Sequence, residues 1–225
     1  MARYKRITKK KKVDAPDEFI SFWGHAITWI GENKNKVIFP VIGVVAIALI
    51  VVMAFFYNNQ KEQTASTELA FILNDFPRQA GADAQKMARE LNEFSERHSG
   101  ATSGRIGILY NAHALYIDKD LEGAANVYRK VIGQNPGDLL SRLAAIGLAT
   151  SLEESGKYAE AIETLKKLRV DKENPFLEMT DMAIARNYAL NNDKSSALNE
   201  YQYFLAQHPS SPLAATVEER MDALQ

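Results

Sequence analysis

Four histidines, 28 acidic side chains and no cysteine bound the chemistry this sequence could do at a reacting centre. A zinc site needs His, Cys or carboxylate ligands at characteristic local spacings. His25, His98, His113 and His208 are not spaced that way, and no thiol joins them. The adjacent carboxylates Glu153–Glu154 and Glu218–Glu219 lie on separate helical segments and read as solvated faces rather than as an acid and its base flanking one reacting atom. No Gly-rich phosphate loop, HExxH or GxSxG occurs. The expectation is a non-enzyme with no catalytic residue, no metal and no cofactor, which leaves binding as its chemistry.

The elements that would position a binding surface start with an uncharged run, "VIFPVIGVVAIALIVVMAFFY", residues 37–57. A helix of that length is about 31 Å long at 1.5 Å per residue, close to the roughly 30 Å of bilayer hydrocarbon. It is apolar on every face, so no stripe directs it against a globular core. Pro40 and Gly43 are tolerated in spanning helices, and Phe39, Phe55, Phe56 and Tyr57 fall where interfacial aromatics sit. A cleaved signal peptide would have a shorter apolar region and small residues at its cleavage site, whereas Asn58, Asn59, Gln60 and Lys61 follow here. The run reads as an uncleaved transmembrane helix.

Charge gives its orientation. Residues 1–36 carry nine Lys/Arg against four Asp/Glu, and residues 58–225 carry 18 against 24, so a net charge of −1 hides opposite signs on the two sides. Lys34 and Lys36 abut the run, where the positive-inside bias acts most strongly. The N-terminus is expected in the cytoplasm and the remainder outside it. Lack of cysteine fits either compartment.

Ahead of the run, "RYKRITKKKK" (3–12) could be a nucleic-acid arm. Beside a membrane span it reads instead as a tail that fixes topology and contacts anionic lipid, with no nucleic-acid partner. In "DEFISFWGHAITWIG" (17–31), Phe19, Trp23, Ile27 and Ile30 recur at helical spacing, and both tryptophans, Trp23 and Trp29, are present. Asp17 and Glu18 suit a helix start after Pro16. Phe19, Trp23, Ile27, Trp29 and Ile30 are the expected membrane-interface residues of an amphipathic helix, with docking on another membrane protein as the alternative.

Beyond the run, "NNQKEQT" (58–64) reads as a short polar spacer. Ala65, Leu69, Ile72 and Phe76 share one helical face, and Ala84, Met87, Leu91 and Phe94 another; nothing alternates with the two-residue period of a strand. Three segments then align, at 108–136, 142–168 and 179–209, each a helix, a tight polar turn and a second helix. Small residues recur in the first helices (Ala112, Ala149, Ala185) and in the second helices (Ala124, Ala161, Ala197), the latter spaced by 37 and 36. Tyr128 and Val131, Leu165 and Leu168, and Tyr201 and Phe204 follow in register. Alanine lets paired helices approach and the large residues fill between pairs. Gly156 permits one turn, and Asp118–Asp120 and Asn191–Asp193 form the others. The fold class is therefore all-α, a helical-hairpin solenoid following a single transmembrane helix. Residues 65–98 look like a degenerate preceding repeat, and residues 210–224 supply a terminal capping helix.

This pattern resembles the tetratricopeptide repeat. The Trp and Leu-Gly pair of strong repeats are absent, so three repeats in register carry the resemblance. It implies that the first helix of each pair lines a concave, partner-binding face. On that register His113 and Tyr116 come from the first repeat, Thr150 and Glu153 from the second, and Met179, Met182 and Arg186 from the third. Ile106, Leu109 and Ile146 share the face but are expected to complete the core. Leu109, His113, Gly147, Met179 and Ala183 stand where relatives that clamp a chaperone's acidic C-terminus carry Lys, Asn and Arg, so that ligand is disfavoured. A basic tail, one N-terminal span and a few extracytoplasmic repeats together resemble the bacterial ancillary Sec translocon subunit family. The resemblance implies a single-pass inner-membrane scaffold with a periplasmic repeat domain, and translocon subunits, exported chains and periplasmic chaperones as partners. The alternative is a scaffold for envelope assembly, in outer-membrane biogenesis, polymer export or cell-wall machinery. Expected boundaries are a cytoplasmic tail and interfacial helix at 1–36, the span at 37–57, a spacer at 58–64 and the repeat domain at 65–225.

Overall fold

The computed structural model describes residues 18–74, 76, 81–171 and 173–224, which form ten α-helices and no strand. The chain divides into two compact units, Met1–Tyr57 and Asn58–Gln225. The basic run 3–12 and the side chains of Phe19 and Trp23 lie outside the described residues.

In the first unit α1 spans Glu18–Glu32, and α2, Lys34–Asn74, begins there. Asn33 separates the two helices. Its N–H bonds to the Trp29 carbonyl at 3.0 Å, and its own carbonyl accepts from Lys36 N at 2.9 Å, so it ends one helix and begins the next. Among the described residues α2 is the one helix long and apolar enough to cross a membrane, and none of its most apolar stretch is buried. In α1, Ile27, Trp29 and Ile30 are all exposed.

The second unit opens inside α2. The polar spacer 58–64 is helical, because no Gly or Pro interrupts 58–74. Thr64 and Thr67 also return their hydroxyls to the Gln60 and Gln63 carbonyls, at 3.1 and 2.9 Å. There follow α3 (Ala82–Arg97), α4 (Thr102–Ile117), α5 (Leu121–Gln134), α6 (Leu139–Glu154), α7 (Tyr158–Arg169), α8 (Leu177–Leu190), α9 (Lys194–Gln207) and α10 (Ala214–Asp222). From α3 on, each helix packs against the next, and α4 also packs against α6, the layering of a helical-hairpin solenoid.

Three turns repeat one geometry. Lys119, Gly156 and Asn192 occupy the left-handed region, with φ of 69°, 73° and 60°. The following residue in each turn, Asp120, Lys157 or Asn192's neighbour Asp193, donates its N–H to the carbonyl of Leu115, Leu152 or Tyr188, at 3.0, 2.8 and 3.0 Å. This is the six-to-one bond of a Schellman ending. Asp120 and Asp193 then cap α5 and α9 by accepting from Gly123 N and Ser196 N, at 2.9 and 3.1 Å. Glycine occupies the left-handed position in only one of the three turns, since a single left-handed residue in a well-bonded turn is a tolerable cost for Lys or Asn.

The repeat residues meet as their spacing predicts. Ala112, Ala149 and Ala185 are buried, as are Ala124, Ala161 and Ala197. Tyr128, Val131, Leu165, Leu168, Tyr201 and Phe204 are also buried and fill the spaces between successive pairs. The first helices begin earlier than their apolar pattern. Glu62 of α2 accepts from Thr102 N and Ser103 N at 2.7 and 3.0 Å, which caps α4 from a distant part of the chain. Asp138 caps α6 through Ser141 N at 2.8 Å and pairs with Arg105 at 2.5 Å. The Arg105 guanidinium beside it holds the Asp138 carboxyl at about 2, well below the usual carboxylate range.

The end of α2 and α3 form a further helical pair. Ala65 and Leu69 share a core cluster with Met87, Ala88, Leu91 and Phe94 of α3 and Ala114 of α4. His98 follows α3, lies against the Phe94 ring at 4.8 Å and bonds Glu68 at 2.8 Å. His208 repeats this after α9, against Phe204 at 4.9 Å and bonded to Asp181 at 2.8 Å. A Phe, a His one turn later and a carboxylate from the preceding helix thus close both of these pairs.

Candidate functional site

The helices α4, α6 and α8 share one face of the second unit, and two adjoining grooves run along it. The first holds about 490 Å³ and is lined by Ile106, Leu109, Tyr110, His113 and Tyr116 of α4, Leu140, Leu143, Ile146, Gly147 and Thr150 of α6, and Tyr128 of α5. The second holds about 580 Å³ and lies between α6 and α8, with Leu213, Thr216 and Arg220 at its far side. Ile146 and Thr150 line both, which joins them. His113 and Tyr116 therefore fall in the first groove, Glu153, Met179, Met182 and Arg186 in the second, and Thr150 at the junction.

Gly147 opens the floor of the first groove. A Cβ there would run into the Tyr128 ring, so the absence of a side chain on α6 lets the tyrosine from the second-helix layer reach through. Burial pushes the Tyr128 hydroxyl up to about 12, which further favours its neutral form on the groove floor. His113 is stacked between Phe76 and Tyr116, at 5.6 and 6.1 Å between ring centres and within 7° and 10° of parallel. Tyr110 meets Phe76 edge-on at 5.5 Å.

Burial lowers the His113 pKa from 6.5. The unfolded chain thus takes up a proton near pH 6.5 that the folded domain resists, and this group's contribution is complete above that pH and is lost as pH falls towards the folded value. The domain is expected to lose more stability between pH 7.5 and 5 than a His113→Gln variant does. Urea unfolding of the full chain at both pH values, read by circular dichroism, measures the difference; identical losses would contradict it.

Along the second groove the polar side chains are engaged with one another. Arg186 gives Nε and Nη2 to both oxygens of Glu153, at 2.9 to 3.1 Å, and Asn187 adds its amide to the same carboxylate at 2.6 Å. Next to it, Glu154 accepts from the Tyr116 hydroxyl and from Lys119 Nζ, the latter at 2.8 Å. Burial and then this carboxylate raise the Tyr116 pKa to about 12. Neighbouring glutamates on α6 thus tie it to α4 on one side and α8 on the other. Glu178 accepts from the Ser211 hydroxyl. Thr150 bonds back to the Ile146 carbonyl at 3.0 Å, which leaves its methyl to the groove. Met179 is half-exposed, whereas Met182 is buried in the core with Tyr201, Phe204 and Val217 and offers the groove only an edge.

The register put Ile106, Leu109 and Ile146 on this face and expected them to complete the core; each is partly buried, Ile106 and Leu109 pack against core clusters, and all three also line a groove. Other lining residues were not legible from the register. Tyr110, Leu140 and Leu143 come from the first helices but lie off the register positions. Tyr128 comes through from a second helix, and Leu213, Thr216 and Arg220 come from the segment that caps the solenoid. The aromatic spacing of Tyr110, His113 and Tyr116 was the available signal for α4.

In sequence the chain is 24% identical over 145 residues to the ancillary SecYEG translocon subunit of Aggregatibacter actinomycetemcomitans, an overlap covering 64% of this chain and 67% of that protein. In fold it is similar to the crystal structure of the nearly identical TPR-like repeats of a Podosopora anserina protein described as a kinesin light chain, with a TM-score of 0.53 and 13% identity over 74% of this chain and 84% of that one. The family described as tetratricopeptide repeat-like domain matches residues 28–225, which takes in every helical pair of the second unit. With its three in-register hairpins, matching turns and alanine-packed pairs, this chain belongs to the tetratricopeptide repeat-like domain family.

Proposed function

We propose that this protein is a single-pass membrane-anchored, non-catalytic scaffold that binds proteins or peptides in the groove along α4, α6 and α8, in the periplasm and beside the Sec translocon. The joined grooves carry the reading: an open, largely apolar channel built from the first helices of successive repeats is suited to taking up part of another chain. Similarity to an ancillary SecYEG translocon subunit supports the setting. The span at 37–57 and the basic excess before it support the anchoring and the orientation, with the tail against anionic lipid. Phe19, Trp23, Ile27, Trp29 and Ile30 would then lie in the cytoplasmic interface. Anchoring holds the groove near membrane partners and raises its effective concentration there.

Photoreactive residues at His113, Tyr116, Met179 and Arg186 test this in cells, with adducts read by mass spectrometry. Translocon subunits, exported chains or periplasmic chaperones are the expected adducts. Envelope-assembly proteins in their place would move the scaffold to that machinery. No adduct from any groove position would overturn the reading.

A further inference from the structure

We propose that the groove selects uncharged, apolar-rich polypeptide segments, and that Glu153 sets this selectivity by occupying the Arg186 guanidinium. The inference rests on the scaffold reading and names the class of segment that the groove accepts. Residues 58–225 carry 18 Lys/Arg and 24 Asp/Glu, yet no Asp, Glu, Lys or Arg is among the residues that line the first groove. Its walls are Leu109, Leu140, Leu143, Ile146 and three tyrosines. Burial lowers the His113 pKa, which favours the neutral imidazole. A charged side chain entering here would lose hydration and find no counter-ion among the lining residues, whereas an apolar one gains contact. Tyr110, which is exposed at the rim, can serve the backbone of such a segment through its hydroxyl without recruiting a charge.

The second groove contains Glu153, Glu178, Arg186 and Arg220. Arg186 is held by both oxygens of Glu153, so its charge is paired inside the protein. Without Glu153 the guanidinium would face the channel as a free fork for carboxylates. The pair thus acts against acidic segments as well as tying α6 to α8.

The full chain in lipid nanodiscs is tested by fluorescence anisotropy against three peptides of equal length. One is built from Leu, Phe, Ser and Gly; in the others Asp or Lys replaces each Ser. The apolar peptide should bind about tenfold tighter than either charged one, a difference of about 1.4 kcal/mol, and its affinity should be indifferent to salt. Thr150→Lys, which places a cation at the junction, should weaken the apolar peptide about tenfold. Glu153→Gln should raise the affinity of the acidic peptide in a salt-sensitive way; circular dichroism checks that each variant is folded. Preference of the wild type for either charged peptide, or indifference to Thr150→Lys, would overturn the selectivity. If no peptide binds while groove positions still crosslink a folded partner in cells, the selectivity falls and the scaffold reading stands. Loss of the crosslinks removes both.

Discussion

Replacing Phe94 by alanine is expected to destabilise the start of the repeat domain by about 3–5 kcal/mol, the usual range for deleting a buried aromatic ring. Phe94 has no exposed surface, and it sits among Ala65 and Leu69 of α2, Met87 and Leu91 of α3, and Ala114 of α4. A Cβ at Gly107 would come within 2.7 Å of its ring, so α4 lies directly against the phenylalanine. Three backbones frame the resulting void, which limits how far it can collapse. In a solenoid each pair contacts only its neighbours, so the loss should stay local. Hydrogen exchange of the full chain should speed up in α3 and the first turns of α4 and change little in α8 and α9. Uniform acceleration across all helices would show a single cooperative block and contradict this. Phe71→Ala is the control, since Phe71 is 77% exposed.

Glu153→Ala is expected to cost about 2–3 kcal/mol, towards the low end for breaking a buried charged contact, because Arg186 is partly open to water. The arithmetic lies on the partners left behind. Asn187 is fully buried, and its side-chain oxygen has no hydrogen-bond partner, so its amide depends on Glu153 and on the Ala183 carbonyl at 2.9 Å. Losing the carboxylate leaves a buried amide short of an acceptor and a guanidinium unpaired. Arg186→Ala should cost less than Glu153→Ala, and the double variant should recover about 1 kcal/mol relative to the sum. Urea unfolding of the three variants closes the cycle, and strict additivity would mean that Glu153 and Arg186 do not act on each other.

Much of the fold was legible in the chain because it rests on local rules. Alanines at 124, 161 and 197 and the large residues that follow them state where second helices approach their partners, and all are buried. The turns were legible as polar segments, although two of the three put Lys119 and Asn192, not glycine, in the left-handed position. The polar stretch 58–64, read as a short spacer, continues α2, because helix continuation depends on the absence of a breaker rather than on polarity. The start of α4 was missed because its cap, Glu62, lies 40 residues away in the chain.

For the groove, the register brought His113, Tyr116, Thr150, Glu153, Met179, Met182 and Arg186 to one face, and all seven line it. What each side chain is free to do was a different matter. Glu153 and Arg186 are bound to each other, Tyr116 to Glu154, and Met182 is largely core. Helical periodicity specifies direction from an axis and nothing about which neighbour arrives there.

By itself, then, the sequence determined the all-α class, the uncharged run at 37–57, the hairpin repeat and the face on which α4, α6 and α8 meet, since each follows from spacing along the chain. Tertiary structure alone decided that Tyr128 reaches through the gap at Gly147, that the capping segment walls the second groove, and that neighbouring glutamates on α6 cancel charge to either side. Those outcomes depend on distances between residues remote in sequence, set by how successive pairs stack, and no local spacing encodes them.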